Sequence, residues 1–190
     1  MIVNNRLLKG FIYLCISLGC PLLSTGALAE GIEIQSASTS LIGDVYSVDA
    51  DIDIELDEEV QDALEHGVEL NIDFTIVIKR SRSWLWDPTI IENILHYKLE
   101  YYPLTDLYLI TNQINDNRSQ FETLEQATRY LGKIRNHIII NQASLEPDES
   151  YIGLIQAKLN IENLPPPLQP TAHLSERWHL ESSWYEWEIR

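Results

Sequence analysis

The chain has 190 residues and carries 29 acidic against 13 basic side chains, a formal net charge of −16 at pH 7. A negative charge of this size repels phosphate backbones and anionic lipid surfaces, so nucleic-acid binding is not expected. Both cysteines, Cys15 and Cys20, lie near the N-terminus, so the remainder of the sequence offers neither a disulfide nor a thiolate metal ligand.

The first 29 residues have the anatomy of a secretory signal peptide. Two basic residues, Arg6 and Lys9, precede an apolar run from Phe11 to Leu23, and small residues close the segment at Ala27-Leu28-Ala29. We therefore expect cleavage after Ala29, removal of both cysteines and an exported, periplasmic protein. The predicted organisation is a signal peptide over residues 1–29 and one β-rich domain over residues 30–190, a length that suits a single core.

Two alternatives to simple cleavage stay open. The first is lipidation at Cys20, because Ser17-Leu18-Gly19 resembles a lipoprotein processing site, although Ser17 stands where an aliphatic residue is usual. The second is an inner-membrane anchor. This alternative is disfavoured because Pro21 and Ser24-Thr25-Gly26 interrupt the apolar stretch. No other segment reaches the roughly 20 apolar residues that a span needs. Membrane contact is therefore expected only through an uncleaved signal or a lipidated Cys20.

Most of the chain after residue 30 shows the period of β-strands. Val48 to Leu56 alternates strictly between apolar and acidic residues, and Val68 to Ile78 continues with a long row of apolar side chains. Because side chains alternate faces along a strand, each row predicts one face on a core and the other toward water. Further strand-like segments follow at 94–101, 106–111, 137–141 and 151–161, with a closing strand or hairpin expected within the aromatic tail, 178–189.

Two short helices interrupt this pattern. The first is predicted over Asp57 to His66 and the second over Leu124 to Leu131, where apolar residues recur at helical spacing. Each has a capping side chain at its start and a glycine at its end, the second as part of a capping box. The capping residues are Asp57 and Thr123, and the terminal glycines are Gly67 and Gly132.

The proline-rich segment from Leu164 to Pro170 is predicted to be extended, because proline fixes φ and removes a backbone donor. We interpret it as a rigid crossover rather than as a ligand for a partner. Strands outnumber helices and hairpin-length connections dominate. The sequence therefore predicts a mainly β (α+β) fold, an antiparallel β-sandwich-like domain with two short helices.

Three parts of the chain carry a family resemblance. The first part joins Ala63-Leu64-Glu65-His66-Gly67-Val68-Glu69-Leu70 to the later segment from Lys79 to Asp87. The second part joins Tyr97 to Tyr101 with Leu104 to Tyr108. The third part joins Leu164 to Gln169 with Trp178, Ser182, Trp184 and Trp187. Their order and spacing resemble an uncharacterised family of bacterial envelope proteins, domain of unknown function 4390, also labelled proline-rich signal peptide proteins.

The resemblance implies an exported protein of Gram-negative type and supplies no catalytic residues, since no activity is established for the family. Members are often encoded beside a membrane sensor kinase of the nitrogen-regulation type, which implies that kinase or another envelope protein as a partner. The chain departs from the family pattern at Thr105-Asp106, where a basic residue is expected after the threonine.

The candidate binding surface is a basic and aromatic island in an acidic chain. It consists of Arg80, Arg82, Trp84 and Trp86, which could bind a ligand by cation–π contacts or by stacking onto a sugar. The competing interpretation, which we favour, is a bent edge strand whose tryptophans cap the core and whose arginines pair with acids of the same chain.

The sequence predicts no metal site and no cofactor. The acidic row Asp49, Asp51, Asp53 and Glu55 could attract Ca²⁺, but alternate strand residues lie about 6.6 Å apart, too far for one ion, so a solvated face is expected. The five histidines lack compact metal spacing, and motifs for a nucleophile or a phosphate loop are missing.

These observations lead to one principal hypothesis and two alternatives. The principal hypothesis is a non-catalytic accessory module of the cell envelope that binds a protein or another envelope component, in its specific form a membrane sensor kinase. The alternatives are an envelope hydrolase or carbohydrate-active enzyme, which needs converging carboxylates in a cleft, and a lipid-binding carrier, which needs an apolar cavity between the sheets. The ligand and the oligomeric state do not follow from the sequence.

Overall fold

The computed structural model describes residues 31–81 and 88–189, which form two antiparallel sheets, three short α-helices and three 3-10 turns. The strands are β1 (Gly31–Ile42), β2 (Val45–Glu55), β3 (Leu70–Ser81), β4 (Thr89–Tyr102), β5 (Leu107–Asn112), β6 (Arg118–Phe121), β7 (Lys133–Asn141), β8 (Ser150–Leu159) and β9 (Tyr185–Ile189). The helices are α1 (Glu58–Glu65), α2 (Leu124–Leu131) and α3 (Gln169–Leu174), and the 3-10 turns are Gln142–Ser144, Ile161–Asn163 and Glu176–Trp178.

The smaller sheet has the strand order β1-β2-β7, and the larger has the order β6-β5-β4-β3-β8-β9. Every pairing is antiparallel. The two sheets share one hydrophobic core, and the helices pack along their margins, with α2 against β2, β5, β6 and β7. The predicted fold class, a mainly β sandwich-like arrangement of antiparallel sheets, is confirmed.

The centre of the core is the inner face of β3. Its predicted apolar row is confirmed, because Leu70, Ile72, Phe74, Ile76 and Ile78 are each at most 1% exposed. These residues pair with inward-facing residues of β4 and β8, and Phe74 meets the ring of Tyr97 edge to face at 5.8 Å. Full burial of one such side chain contributes about 1.5 to 3 kcal/mol.

The first sheet places the apolar row of β2 in the core, since Ala50, Ile52 and Ile54 are buried. Its acidic row is only partly solvated. The Asp49 carboxylate accepts a hydrogen bond of 2.9 Å from the backbone N–H of Asn136, and Asp51 forms an ion pair with Arg135. The row thus helps to hold β7 beside β2.

Both predicted helices are present and both N-caps form as expected, but the predicted capping box is not completed, because the side chain of Gln126 accepts from the N–H of Glu122 at 3.4 Å rather than from that of Thr123. The carboxylate of Asp57 accepts from the N–H of Glu59 at 2.8 Å, and the hydroxyl of Thr123 accepts from the N–H of Gln126 at 3.2 Å. Gly67 has φ +90°, the left-handed stop that was predicted.

Gly132 ends α2 for a different reason from the predicted left-handed turn. Its backbone is right-handed, with φ −70° and ψ 0°. A Cβ there would meet the carbonyl group of Ile52 in β2, at 3.0 Å from its carbon and closer still to its oxygen. The carbonyl of Gly132 accepts from the N–H of Ile52 at 2.8 Å, so the helix end lies directly against the β2 backbone.

Three elements differ from the sequence predictions. Strand β1 and the short strand β6 were not anticipated, and the prediction of an extended Leu164–Pro170 was wrong beyond Pro165. There the N–H of Leu168 donates to the carbonyl of Pro165 at 2.9 Å, and α3 begins at Gln169. Pro170 lies in the first turn of α3, where the missing N–H costs no helical hydrogen bond.

The first and last described strands are joined directly. Trp187 of β9 faces inward opposite Gly153 of β8, and its indole N–H donates to the hydroxyl of Thr39 in β1 at 2.6 Å. Gly153 is required there because a Cβ would overlap the indole ring. Within residues 31–81 and 88–189, no helix is long and apolar enough to cross a membrane.

Candidate functional site

Of the predicted binding residues, Arg80 lies within the described structure, whereas Arg82, Trp84 and Trp86 lie outside the described residues. Arg80 faces inward at the end of β3, opposite Tyr151 of β8. Its guanidinium donates to the Glu146 carboxylate at 2.6 Å and lies 3.7 Å from that of Glu149.

Arg80 therefore anchors the loop between β7 and β8. The hydrogen bond to Glu146 raises the pKa of Arg80 above its usual value, and its side chain is only 16% exposed. The loop is also fixed by the N–H of Glu146, which donates to the hydroxyl of Tyr151 at 2.8 Å. This internal pairing matches the interpretation in which the arginines neutralise acids of the same chain.

The preceding residue, Lys79, points to the opposite face of the same sheet. Side chains alternate along a strand, so the outward positions of β3 are 71, 73, 75, 77 and 79. The register places Ile94 and Gln156 on either side of Thr75, and Glu92 and Leu154 on either side of Val77. Together these side chains form a shallow cleft on the solvent side of the larger sheet.

We name this cleft the outer trough. Its volume is about 460 Å³. Its floor mixes the apolar side chains of Val77, Ile94 and Leu154 with polar ones, and Val77 is 7% exposed although it faces away from the core. Trp184, which immediately precedes β9, forms one wall and is 47% exposed. The lining residues are Asp73, Thr75, Val77, Lys79, Thr89, Glu92, Ile94, Leu154, Gln156, Lys158 and Trp184.

A lysine lies at each end of the outer trough. Lys158 stands opposite Asp73, six residues before Lys79 on β3, so the two lysines are separated by about 20 Å along the strand direction. Neither lysine makes an ion pair with any carboxylate of the residues that the structure describes. The same is true of Lys133, so what distinguishes Lys79 and Lys158 among the described lysines is that both border one cleft.

Lys98, on the same face of the sheet, is the described lysine that does form ion pairs. Its ammonium lies 3.1 Å from the Glu100 carboxylate and 3.4 Å from that of Glu69. Although burial lowers the pKa of Lys98, the hydrogen bonds and negative charges of Glu100 and Glu69 outweigh it and raise the pKa above its usual value. The charge of Lys98 is thus satisfied within the protein.

One end of the trough is held by a buried carboxylate. Asp73 is 5% exposed, and its two oxygens bind separate partners, the Nδ1 of His96 at 2.7 Å and the side-chain amide of Asn160 at 2.8 Å. The His96 side chain is 44% exposed. This arrangement fixes the tautomer of the neutral imidazole, with the proton on Nδ1, and it can also hold the imidazolium form.

The sequence analysis missed this cluster. An aspartate inside the longest apolar strand was a visible signal, because a buried carboxylate requires hydrogen-bond partners. Its partners come from β4 and from the end of β8, and the register that brings His96 and Asn160 to Asp73 was not deducible from spacing alone.

Two further clefts border these features. One, of about 480 Å³, lies on the other side of Trp184 and includes Ile32, His179 and Tyr185. The other, of about 690 Å³, lies beside the Arg80 anchor and is lined by Tyr46 and Tyr151 among other residues. Among residues 31–81 and 88–189, no group of three histidine, cysteine or acidic side chains could hold a metal ion.

Comparison with known proteins gives one match. No curated protein and no solved structure matches the chain. A family model described as a domain of unknown function (DUF4390) matches residues 29–188. This range covers nearly all of the β-rich region and agrees with the resemblance carried by the three segments. The protein belongs to the DUF4390 family.

Proposed function

We propose that the protein is an exported binding module of the cell envelope and that the outer trough is its partner-binding surface. The observation that carries the proposal is the composition of the trough, in which apolar side chains of three strands lie beside a half-exposed Trp184, with a lysine at each end that pairs with no carboxylate of the described residues. Protein interfaces combine an apolar centre with a polar rim, and tryptophan is enriched among the residues that dominate binding.

The export part of the proposal is supported by the signal-peptide anatomy of residues 1–29 and by the family resemblance. It is tested by fractionation of cells at native expression and by the intact mass of the recovered protein. We expect a periplasmic species that begins at Glu30 without lipid. Cytoplasmic protein with an intact N-terminus would contradict the proposal.

The partner that we propose is a membrane sensor kinase, bound through the region of the kinase outside the cytoplasm. The support is the family's frequent neighbourhood with such kinases. A photo-crosslinking amino acid at position 94, in the trough, tests this directly. The matched control is position 138 on the other sheet, since Ile94 and Ile138 are both exposed isoleucines.

We expect the kinase to be crosslinked from position 94 and not from position 138. If position 94 yields no kinase at native expression, the kinase proposal fails, and if it yields no protein partner at all, the trough is not the binding surface.

The lipid-carrier alternative has less support. It requires an apolar cavity between the sheets, whereas the inner positions of the larger sheet are filled by fully buried side chains, among them Phe74, Ile76 and Ile155. The described clefts open to the surface at the margins and on the outer face.

A further inference from the structure

We infer that the outer trough binds an extended polypeptide segment with apolar side chains between two carboxylates about six residues apart. The inference rests on the proposed function and names the chemistry of the partner at the same surface. Its basis is the length of the trough, the hydrogen bonding of its floor and the position of each charge.

The length follows from the two lysines. Lys79 and the residue opposite Lys158 are six positions apart on β3, about 20 Å at about 3.3 Å per residue. An extended segment that pairs one carboxylate with each lysine therefore carries its acids about six positions apart. A helical segment of six residues spans only about 9 Å and leaves one lysine unpaired.

The occupant lies on the face of the sheet and does not add a strand to it. β3 is a central strand whose backbone is hydrogen-bonded to β4 on one side and to β8 on the other. Recognition therefore depends on side chains. Alternate side chains of an extended segment point to one face, so every second residue of the occupant meets the floor at Val77, Ile94 and Leu154.

The charges within the trough determine where the carboxylates of the occupant are tolerated. Glu92 lies beside Val77 in the middle and disfavours an acid there. Asp73 is already engaged by His96 and Asn160, which leaves the nearby Lys158 as the available cation at that end.

The carboxylates near Lys158 do not neutralise it. The backbones of Glu181 and Lys158 form an isolated antiparallel β-bridge. The carboxylate of Glu181 accepts a hydrogen bond from the side-chain amide of Gln156 at 2.7 Å. Two carboxylates of β9 also lie on this face, Glu186 beside Leu154 and Glu188 beside Ile152, so acids of the occupant are disfavoured along that margin and are accommodated only at the two lysines.

The test uses the purified mature protein and a fluorescein-labelled peptide, Glu-Thr-Leu-Thr-Leu-Thr-Glu, which places both glutamates and both leucines on one face and is measured by fluorescence anisotropy. The comparison peptides have the same composition with the two glutamates adjacent, or glutamine in place of both. We expect the spaced peptide to bind most tightly and its binding to weaken as salt is raised, because the contacts to the lysines are exposed.

Three variants connect binding to the trough. Lys79→Gln and Lys158→Gln should each weaken binding about two- to five-fold, the effect of losing one exposed charge pair. Trp184→Ala should weaken it about ten-fold, as expected for a tryptophan in an interface centre. The matched control is Lys133→Gln on the other sheet, an exposed lysine that makes no ion pair with a described carboxylate. Circular dichroism confirms that each variant is folded.

Equal affinity for the spaced and adjacent peptides, or an equal loss in the Lys133 control, would overturn the inference. The absence of peptide binding at millimolar concentration would also overturn it. The same holds if phosphatidylglycerol vesicles or a chitin oligosaccharide bind in a lysine-dependent way while the peptides do not bind. These results leave the crosslinking test at position 94 untouched, so the general proposal of a partner-binding surface stands or falls separately.

Discussion

Substitution of Gly132 by alanine is expected to destabilise the protein by about 1 to 6 kcal/mol. The added Cβ would lie 3.0 Å from the carbonyl carbon of Ile52 and closer to its oxygen, a distance that real Cβ atoms essentially never show. Both atoms belong to the β2 backbone, so no side-chain rotation relieves the overlap. Either β2 or the junction of α2 and β7 must move.

The magnitude follows from two costs and one gain. Overpacking of a closely packed site costs about 1 to 3 kcal/mol. Movement at the junction also breaks the 2.8 Å hydrogen bond from Ile52 to Gly132, and leaving such buried groups unpaired costs about 1 to 3 kcal/mol. The lower backbone entropy of the unfolded alanine chain offsets about 0.4 to 1 kcal/mol.

The assay is urea unfolding of both proteins followed by circular dichroism, with thermal unfolding as a second measurement. For a chain of this size, each kcal/mol lowers Tm by about 2 to 4 °C. Hydrogen exchange should show faster exchange at the amide of Ile52. Lys133→Ala is the control, because Lys133 is the adjacent exposed residue. A loss below about 1 kcal/mol, or an equal loss in the control, would refute the close-approach reasoning.

Three further predictions concern titration and the loop anchor. The Nε2 of His137 is buried and has no hydrogen-bond partner among the described residues, and this burial lowers the pKa of His137. As pH falls through the ordinary histidine pKa near 6.5, the unfolded state therefore binds more protons than the folded state. The free energy of unfolding should therefore decrease as pH falls through 6.5, and His137→Gln should flatten this slope in urea titrations. The hydrogen bond to Asp106, followed by burial and nearby negative charges, raises the pKa of Tyr101 to about 12, so ultraviolet difference titration of Asp106→Asn should show one tyrosine ionising at lower pH than in the unsubstituted protein. Arg80→Ala should increase amide exchange in residues 142–149. Glu146→Gln should increase it less, because Glu149 still pairs with Arg80. Unchanged exchange in both variants would contradict the role of Arg80 in fixing this loop.

Alternation of polarity was sufficient to locate the strands whose two faces differ strongly. β2 and β3 were identified because aspartates or other polar residues separate branched apolar residues along almost their entire length. β1 was missed because its second half, from Ser36 to Ser40, is built from small and polar residues with no contrast between faces. A bulge between Ile34 and Ser36 also shifts its period.

The candidate site was less accessible to sequence reasoning because it depends on pairing between distant strands. Arg80 was assigned to the basic and aromatic island and Lys79 immediately precedes it, yet strand alternation sends the two side chains to opposite faces, Lys79 to the trough and Arg80 to the β7–β8 loop. Lys158 and Trp184 come from elements far along the chain. The registers of β3 with β8 and of β8 with β9 place them on the same face as Lys79, and no local pattern specifies those registers.

The bond between Trp187 and Thr39 has a consequence for the order in which the protein matures. A chain that is synthesised or threaded across a membrane from its N-terminus presents β1 first and β9 last. The wall of the trough at Trp184 and the closure of β9 onto β1 therefore form only after almost the whole chain has emerged. Until then the outer face of the larger sheet lacks this wall, and the edge of β8 lacks its neighbouring strand.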